Sequence, residues 1–168
     1  AAFEARAPLT PPSPPSKLGG EGFSPLRVIL DRQLRTPAGS HVLDGSAPTL
    51  LIHGESASSC TDDRFAHIKR LALPTPADAF DLHAVLALLA QRDVNEIHVE
   101  AGPRLCGALF AAGLVDELLL YIAPLLLGDA ARALLQLPTL NDMAWRWQLQ
   151  MVDQRMLGQD IRLRLRPG

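Results

Sequence analysis

The stretch that decides the fold is His98-Val-Glu-Ala-Gly-Pro-Arg-Leu-Cys-Gly-Ala108. Residues 95–100 alternate in the manner of a β-strand, and a glycine–proline turn follows them. Pro103 suits the first position of a helix, and Gly113 is a typical residue just beyond a helix end. We therefore predict a strand, a tight turn and a helix in direct succession, which is a common unit of α/β proteins.

Three short apolar runs upstream indicate buried strands at residues 26–31, 49–53 and 68–73. Asp81 then opens a helix, because apolar residues follow it at helical spacing, and the carboxylate of either Asp78 or Asp81 can cap the first turn. Prolines and glycines separate these segments, as expected for loops. The alternation of strands and helices favours a parallel arrangement of the early strands.

The last third of the chain has a different pattern. A strand is predicted over residues 114–123, and the segments 145–152 and 161–166 alternate with period two around a glycine turn. These two segments indicate an antiparallel hairpin with one buried face. On its other face lie three arginines, Arg162, Arg164 and Arg166. A solvated edge strand protected by charge is favoured over a phosphate- or partner-binding stripe.

Taken together, the elements predict a three-layer α/β domain with a mixed, mostly parallel sheet and a C-terminal antiparallel hairpin. The 168 residues, 48% of them hydrophobic and 20% charged, suffice for one domain with its own core. Six of the fourteen prolines fall within residues 1–25. We predict this segment to be a disordered tail or insertion, and residues 26–168 to be the folded domain.

Charge and composition also bear on partners and location. The net charge of −2 gives no electrostatic case for a nucleic-acid partner, and no apolar run is long enough for a membrane span. The two cysteines, Cys60 and Cys106, match neither a disulfide framework nor a zinc spacing. Since no apolar leader precedes the domain, the expected location is the cytoplasm.

The glycine turn is the candidate site for an anionic ligand. Free N–H groups and the helix dipole both favour an anion at a helix N-terminus, and Gly102 has no side chain to keep a diphosphate away. Gly107 allows the second helical turn to pack closely against a neighbour or a ligand. Glu100 lies at the carboxyl end of the predicted strand, where open α/β sheets bind ligands. The spacing is neither G-x-G-x-x-G nor a P-loop, so an ordinary strand–turn–helix joint is the alternative.

Other kinds of site find little support. His98 and Glu100 fit the H-x-E part of a zinc deaminase, but the P-C-x-x-C part is missing. The other histidines form no metal-binding pair, and no G-x-S-x-G surrounds a serine, so neither a metal site nor a nucleophilic triad is predicted. His98 should share a strand face with Glu100, most simply as a packing residue.

From His98 to Gly128 the chain reads HVEAGPRLCGALFAAGLVDELLLYIAPLLLG, which strongly resembles the reductase domain of bacterial bifunctional riboflavin-biosynthesis deaminase/reductases. The segment RVILDRQLRTP, residues 27–37, resembles the same family, and the resemblance runs from about Leu26 to the C-terminus. It implies a dihydrofolate-reductase-like fold and NADPH as the cofactor. The implied reaction reduces 5-amino-6-(5-phosphoribosylamino)uracil to the ribitylamino product, with hydride transfer to C1′ of the ribosyl group.

The resemblance also implies site residues. Glu100 would contact the substrate, and Arg32 would lie in a cofactor-contacting position where relatives often have a small hydroxyl residue. The cofactor turn would consist of Gly102, Pro103, Arg104, Leu105, Cys106, Gly107 and Ala108. No catalytic residue is implied. A homodimer is expected, because the family often dimerises through this domain.

The chain departs from the family before Leu26. Relatives begin the domain with a strand that carries a K-x-A-x-S-x-D-G-like motif, followed by a helix and a strand that ends in a glycine–threonine cofactor loop. This chain has the proline-rich segment there instead. Since the missing part supplies ligand contacts and central strands, a truncated remnant without turnover is one alternative. A reductase of the same fold that acts on another heterocycle, such as a pterin, is a second.

Overall fold

A computed structural model of the chain describes residues 24–57 and 62–168. Almost all of the predicted disordered tail, residues 1–25, lies outside the described residues. The chain divides into two compact units, which end and begin at Phe80 and Asp81. No helix in the described ranges is long and apolar enough to cross a membrane.

The first unit contains a parallel sheet of three strands. They are β1 (Arg27–Leu30), β2 (Thr49–Gly54) and β3 (Lys69–Leu73), in the order β1-β2-β3. The three upstream strand predictions are thereby confirmed. Every residue of β2 is buried, as expected for the apolar central strand of a parallel sheet. Leu51 of this strand belongs to the hydrophobic core of the unit, together with Leu34, Leu43, Phe65 and Ile68.

The second unit begins with two helices, α1 (Leu82–Ala90) and α2 (Pro103–Ala111). Asp81 caps α1 as predicted, because its carboxylate accepts hydrogen bonds from two N–H groups of the first turn. Pro103 occupies the first position of α2, and Gly113 follows the helix with φ +67°. That left-handed backbone is the reason for a glycine at this helix end.

An antiparallel sheet completes the second unit. Its strands are β4 (Leu118–Ile122), β5 (Leu149–Leu157) and β6 (Asp160–Pro167), in the order β4-β6-β5. The predicted hairpin is therefore present, and Gly158 turns it with φ +66°. A register shift between Met151 and Asp153 leaves one residue of β5 as a bulge.

The predicted α/β fold is confirmed, but two of the predicted strands are wrong in detail. The described strands lie in a parallel sheet of the first unit and an antiparallel sheet of the second. Residues 95–100 form no strand, because no described segment supplies a hydrogen-bonded partner for them. The strand predicted over residues 114–123 is shorter, since β6 pairs with it only from Leu118 to Ile122.

The hairpin also differs from the prediction. The three arginines do share one face, but β6 lies in the middle of its sheet and is no edge strand. Its opposite face is apolar yet only partly buried, and most of β5 is exposed.

Candidate functional site

The first turn of α2 carries free backbone donors. Gly102 is its N-cap, with φ −75° and ψ 170°, and its carbonyl accepts a hydrogen bond from the Cys106 N–H at 3.2 Å. Pro103 has no N–H. Among the described residues, no backbone acceptor is hydrogen-bonded to the N–H groups of Arg104 and Leu105. Two donors therefore point out of the helix, where the dipole is positive.

Charge at this turn is one-sided. The first turn of α2 contains no acidic residue. Arg104 is exposed, and no carboxylate of the described part of the chain pairs with it. A cation beside the positive end of a helix dipole is repelled by it, so both features favour an anion from outside.

The two glycines of this segment face different surroundings. A Cβ built on Gly102 would meet no atom of the described residues within 4 Å. A Cβ built on Gly107 would overlap the carbonyl oxygen of Gln136 and lie 2.7 Å from its carbon. The Gln136 N–H in turn donates to the Pro103 carbonyl at 2.9 Å. Gly102 thus leaves room for a ligand, whereas the close neighbour of Gly107 is protein backbone.

An open groove of about 400 Å³ runs between α2 and residues 136–138. Arg104 and Ala108 line it from the helix side. Leu105 and Cys106 are half-buried beneath the turn, and the Cys106 thiol donates to the Ala101 carbonyl at 3.4 Å. Arg104 and Ala108 therefore lie on the exposed side of the turn, and Leu105 and Cys106 lie on its packed side.

Glu100 lies just before the turn and is exposed. The His98 Nε2 lies 3.4 Å from its Oε1, so the two side chains share a face as expected. This occurs although residues 95–100 are in no sheet. The side chains of His98 and Glu100 are 66% and 73% exposed, and both are therefore accessible to a ligand.

Arg32 belongs to the first unit and follows β1. Its guanidinium donates to the Asp78 carboxylate at 2.5 Å. Next to it, Asp31 accepts hydrogen bonds from the Thr36 N–H at 2.6 Å and the Thr36 hydroxyl at 2.7 Å. Partial burial alone would raise the pKa of Asp31, but backbone N–H donors, that of Arg35 foremost, and the Thr36 hydroxyl hold it below its usual range.

The structure therefore brings most of the predicted site residues together in the second unit. Glu100 and the residues from Gly102 to Ala108 are consecutive around one turn. Sequence reasoning missed the contact of Asp78 with Arg32 and that of the Gln136 backbone with Gly107, because no local pattern marks either contact. No cluster of three potential metal ligands is found among the described residues.

Comparisons with known proteins agree on one family. The sequence model of the RibD C-terminal domain family matches residues 3–163. This match begins further towards the N-terminus than the resemblance, which starts at about Leu26. The Escherichia coli (strain K12) riboflavin biosynthesis protein RibD is 36% identical over 141 residues, which are 84% of this chain and 38% of that protein. The chain thus spans well under half of that relative.

Two further relatives bear on the reductase itself. A protein of Buchnera aphidicola subsp. Acyrthosiphon pisum named 5-amino-6-(5-phosphoribosylamino)uracil reductase is 29% identical over 146 residues, or 85% of this chain and 68% of that protein. Among solved structures, Acinetobacter baumannii RibD superposes with a TM-score of 0.68 at 31% identity, covering 84% of this chain and 37% of that one.

Proposed function

Because the chain belongs to the RibD C-terminal domain family, we propose that it reduces 5-amino-6-(5-phosphoribosylamino)uracil with NADPH in riboflavin biosynthesis. The relative that bears this reductase name supports the reaction. The observation that carries the proposal for this chain is the first turn of α2. It presents two N–H groups and an arginine that have no partner among the described residues, beside an exposed glycine and directly after Glu100.

The turn fits the diphosphate of a dinucleotide. The N–H groups of Arg104 and Leu105 can donate to phosphate oxygens, and the Arg104 guanidinium adds positive charge. The empty space at Gly102 allows a phosphate to approach the backbone. NADPH bound there would supply the hydride. The protein would hold the nicotinamide and the sugar in the correct relative position and would exclude water.

Glu100 is proposed to bind the substrate. A carboxylate accepts hydrogen bonds from hydroxyl and amino groups, and the ribosylamino part of the substrate offers both. His98, 3.4 Å from the carboxylate, restricts the orientations that the Glu100 side chain can adopt. The pair would thereby fix the sugar relative to the α2 turn.

The experiment is a calorimetric titration of the purified full chain with NADPH, with circular dichroism on the same sample. Saturable binding by a folded chain is expected, followed by substrate-dependent consumption of NADPH. A folded chain that binds NADPH but does not turn over would favour the truncated remnant. Turnover of a pterin in place of the pyrimidine would favour a reductase for another heterocycle.

Gly102→Val tests the turn separately from the fold. The backbone of Gly102 is extended and no described residue lies within 4 Å of an added Cβ, so we expect valine to fit the free protein. We expect the variant to fold and to bind NADPH at least about tenfold more weakly, since the branched side chain occupies the approach of the phosphate. Binding equal to that of the parent would show that the turn does not hold the cofactor.

We also propose a second copy of the chain as a partner. One face of the antiparallel sheet carries only apolar side chains at its paired positions on β4 and β6. Ile122, Met151 and Met156 on that face are 42%, 61% and 61% exposed. Contiguous apolar surface of this kind is typical of protein–protein contacts. The opposite face carries the arginines, which would repel their copies, so the apolar face is the one suited to self-association.

A further inference from the structure

The loops after the three parallel strands meet at the carboxyl edge of the sheet. Arg32 follows β1, Gly54 ends β2 and Thr75 follows β3. The Gly54 N–H donates to the Arg32 carbonyl at 3.0 Å. A Cβ built on Gly54 would lie 3.1 Å from both the Arg32 carbonyl oxygen and the Thr75 hydroxyl oxygen. The three loops are thus in contact at the edge where α/β sheets bind ligands.

The only carboxylate that pairs with Arg32 among the described residues is that of Asp78. The arginine side chain is 27% exposed and the aspartate side chain 86% exposed. Asp78 and its neighbour Ala77 both have left-handed backbones, with φ of +60° and +51°. This conformation is uncommon for residues other than glycine, although aspartate adopts it more readily than alanine. A hydrogen bond from the Ala79 N–H to the Pro76 carbonyl at 3.2 Å closes the turn that carries Asp78.

An exposed ion pair of this kind is weak and exchangeable. Water screens the Asp78 carboxylate, and such pairs contribute little to stability. A phosphate monoester carries up to twice the charge of a carboxylate and offers more acceptor oxygens to a guanidinium. A phosphate would therefore compete with the Asp78 carboxylate for Arg32, and the phosphate would displace the carboxylate when it binds.

We propose that Asp78 competes with a nucleotide phosphate for Arg32 and thereby sets the preference of this chain between NADPH and NADH. The two cofactors differ only in the ribose 2′-phosphate. In dinucleotide-binding proteins an arginine accommodates that phosphate, whereas a carboxylate suits the free 2′-hydroxyl. Here both groups lie at the same edge of the sheet, in contact with each other. The inference rests on the proposed function and adds a specificity residue to it.

The test compares two small probes, adenosine 2′,5′-bisphosphate and adenosine 5′-monophosphate, by calorimetry on the full chain. Asp78→Asn removes the competing charge, and we expect it to bind the bisphosphate about three- to fivefold more tightly, the range that an exposed ion pair allows. Binding of the monophosphate should not tighten. In an Arg32→Gln background the same substitution should have no effect, because the partner is gone.

Asp44→Asn is the matched control. Asp44 pairs with Arg27 at 3.2 Å in the same unit, and Arg27 begins β1 whereas Arg32 follows it. The control removes the same charge from another ion pair of the unit and should leave both probes unaffected. Equal tightening by Asp44→Asn, equal tightening for both probes, or no binding of the bisphosphate would each overturn the inference.

The outcomes separate this inference from the proposed reaction. The bisphosphate needs neither the nicotinamide position nor the substrate site. If it shows the expected pattern while NADPH is never consumed with substrate, the phosphate site stands and the reductase proposal fails. If NADPH is consumed but Asp78→Asn leaves its preference over NADH unchanged, the reductase proposal stands and the role of Asp78 is refuted.

Discussion

Gly102 and Gly107 show how one residue type serves two purposes within a few positions. Gly102 has an extended backbone and open space, so its lack of a side chain matters only to something that approaches from outside. Gly107 is buried, and the backbone of Gln136 fills the place of its missing side chain. From the sequence, close packing against a neighbour or a ligand was expected at Gly107. The structure identifies a protein neighbour, and this gives Gly107 a reason that is independent of any cofactor.

Gly107→Ala should therefore destabilise the chain. The added methyl group collides with the Gln136 main chain, which cannot rotate away as a flexible side chain could, and overpacking of this kind costs about 1–3 kcal/mol. Urea denaturation followed by circular dichroism measures the loss. Gly39→Ala is the control, because in the described part of the chain no atom lies within 4 Å of a Cβ built there. A loss for Gly107→Ala no larger than that of the control would contradict the observed packing.

At the scale of elements, the confirmed predictions are those that rest on proline, glycine and aspartate residues at the ends of helices. Asp81, Pro103 and Gly113 set the helix ends to within about two residues, because capping is a local interaction. Residues 95–100 show the limit of such reasoning. Their alternation suits a strand, but a strand also requires a hydrogen-bonded partner, and the sequence of the segment does not specify one.

The capping of α1 allows a direct test at this scale. The Asp81 carboxylate accepts hydrogen bonds from the His83 N–H at 2.9 Å and the Ala84 N–H at 3.3 Å. Asp81→Ala should lower the free energy of unfolding by about 0.5–2 kcal/mol, because both donors lose their acceptor. Asp81→Asn retains an acceptor oxygen, so its free energy of unfolding should fall much less. Thermal unfolding followed by circular dichroism measures both variants. Equal losses for the two variants would show that the cap is not what stabilises the helix start.

At the scale of the whole molecule, long-range pairs set the limit of what the sequence could predict. The α/β class and the succession of Glu100 and the glycine turn follow from local pattern and from the resemblance to a family. Arg32 and Asp78 are separated by 46 positions, and neither residue has a neighbour that indicates the other. The order of the strands likewise depends on long-range pairing, and β6 lies between β4 and β5 because it pairs with both.

The exposed apolar face of the antiparallel sheet leads to the last prediction, which concerns self-association. Met151 pairs with Leu165 on this face, and Gln150 pairs with Arg166 on the opposite, arginine-bearing face. Met151→Glu would place a carboxylate in the proposed contact, where it loses hydration without gaining a partner. We expect the parent to dimerise in sedimentation equilibrium and this variant to dimerise at least about tenfold more weakly. Gln150→Glu, which changes the charge equally on the other face, should dimerise like the parent. A parent that stays monomeric, or a control that dissociates as much as Met151→Glu, would exclude this face as the contact between copies.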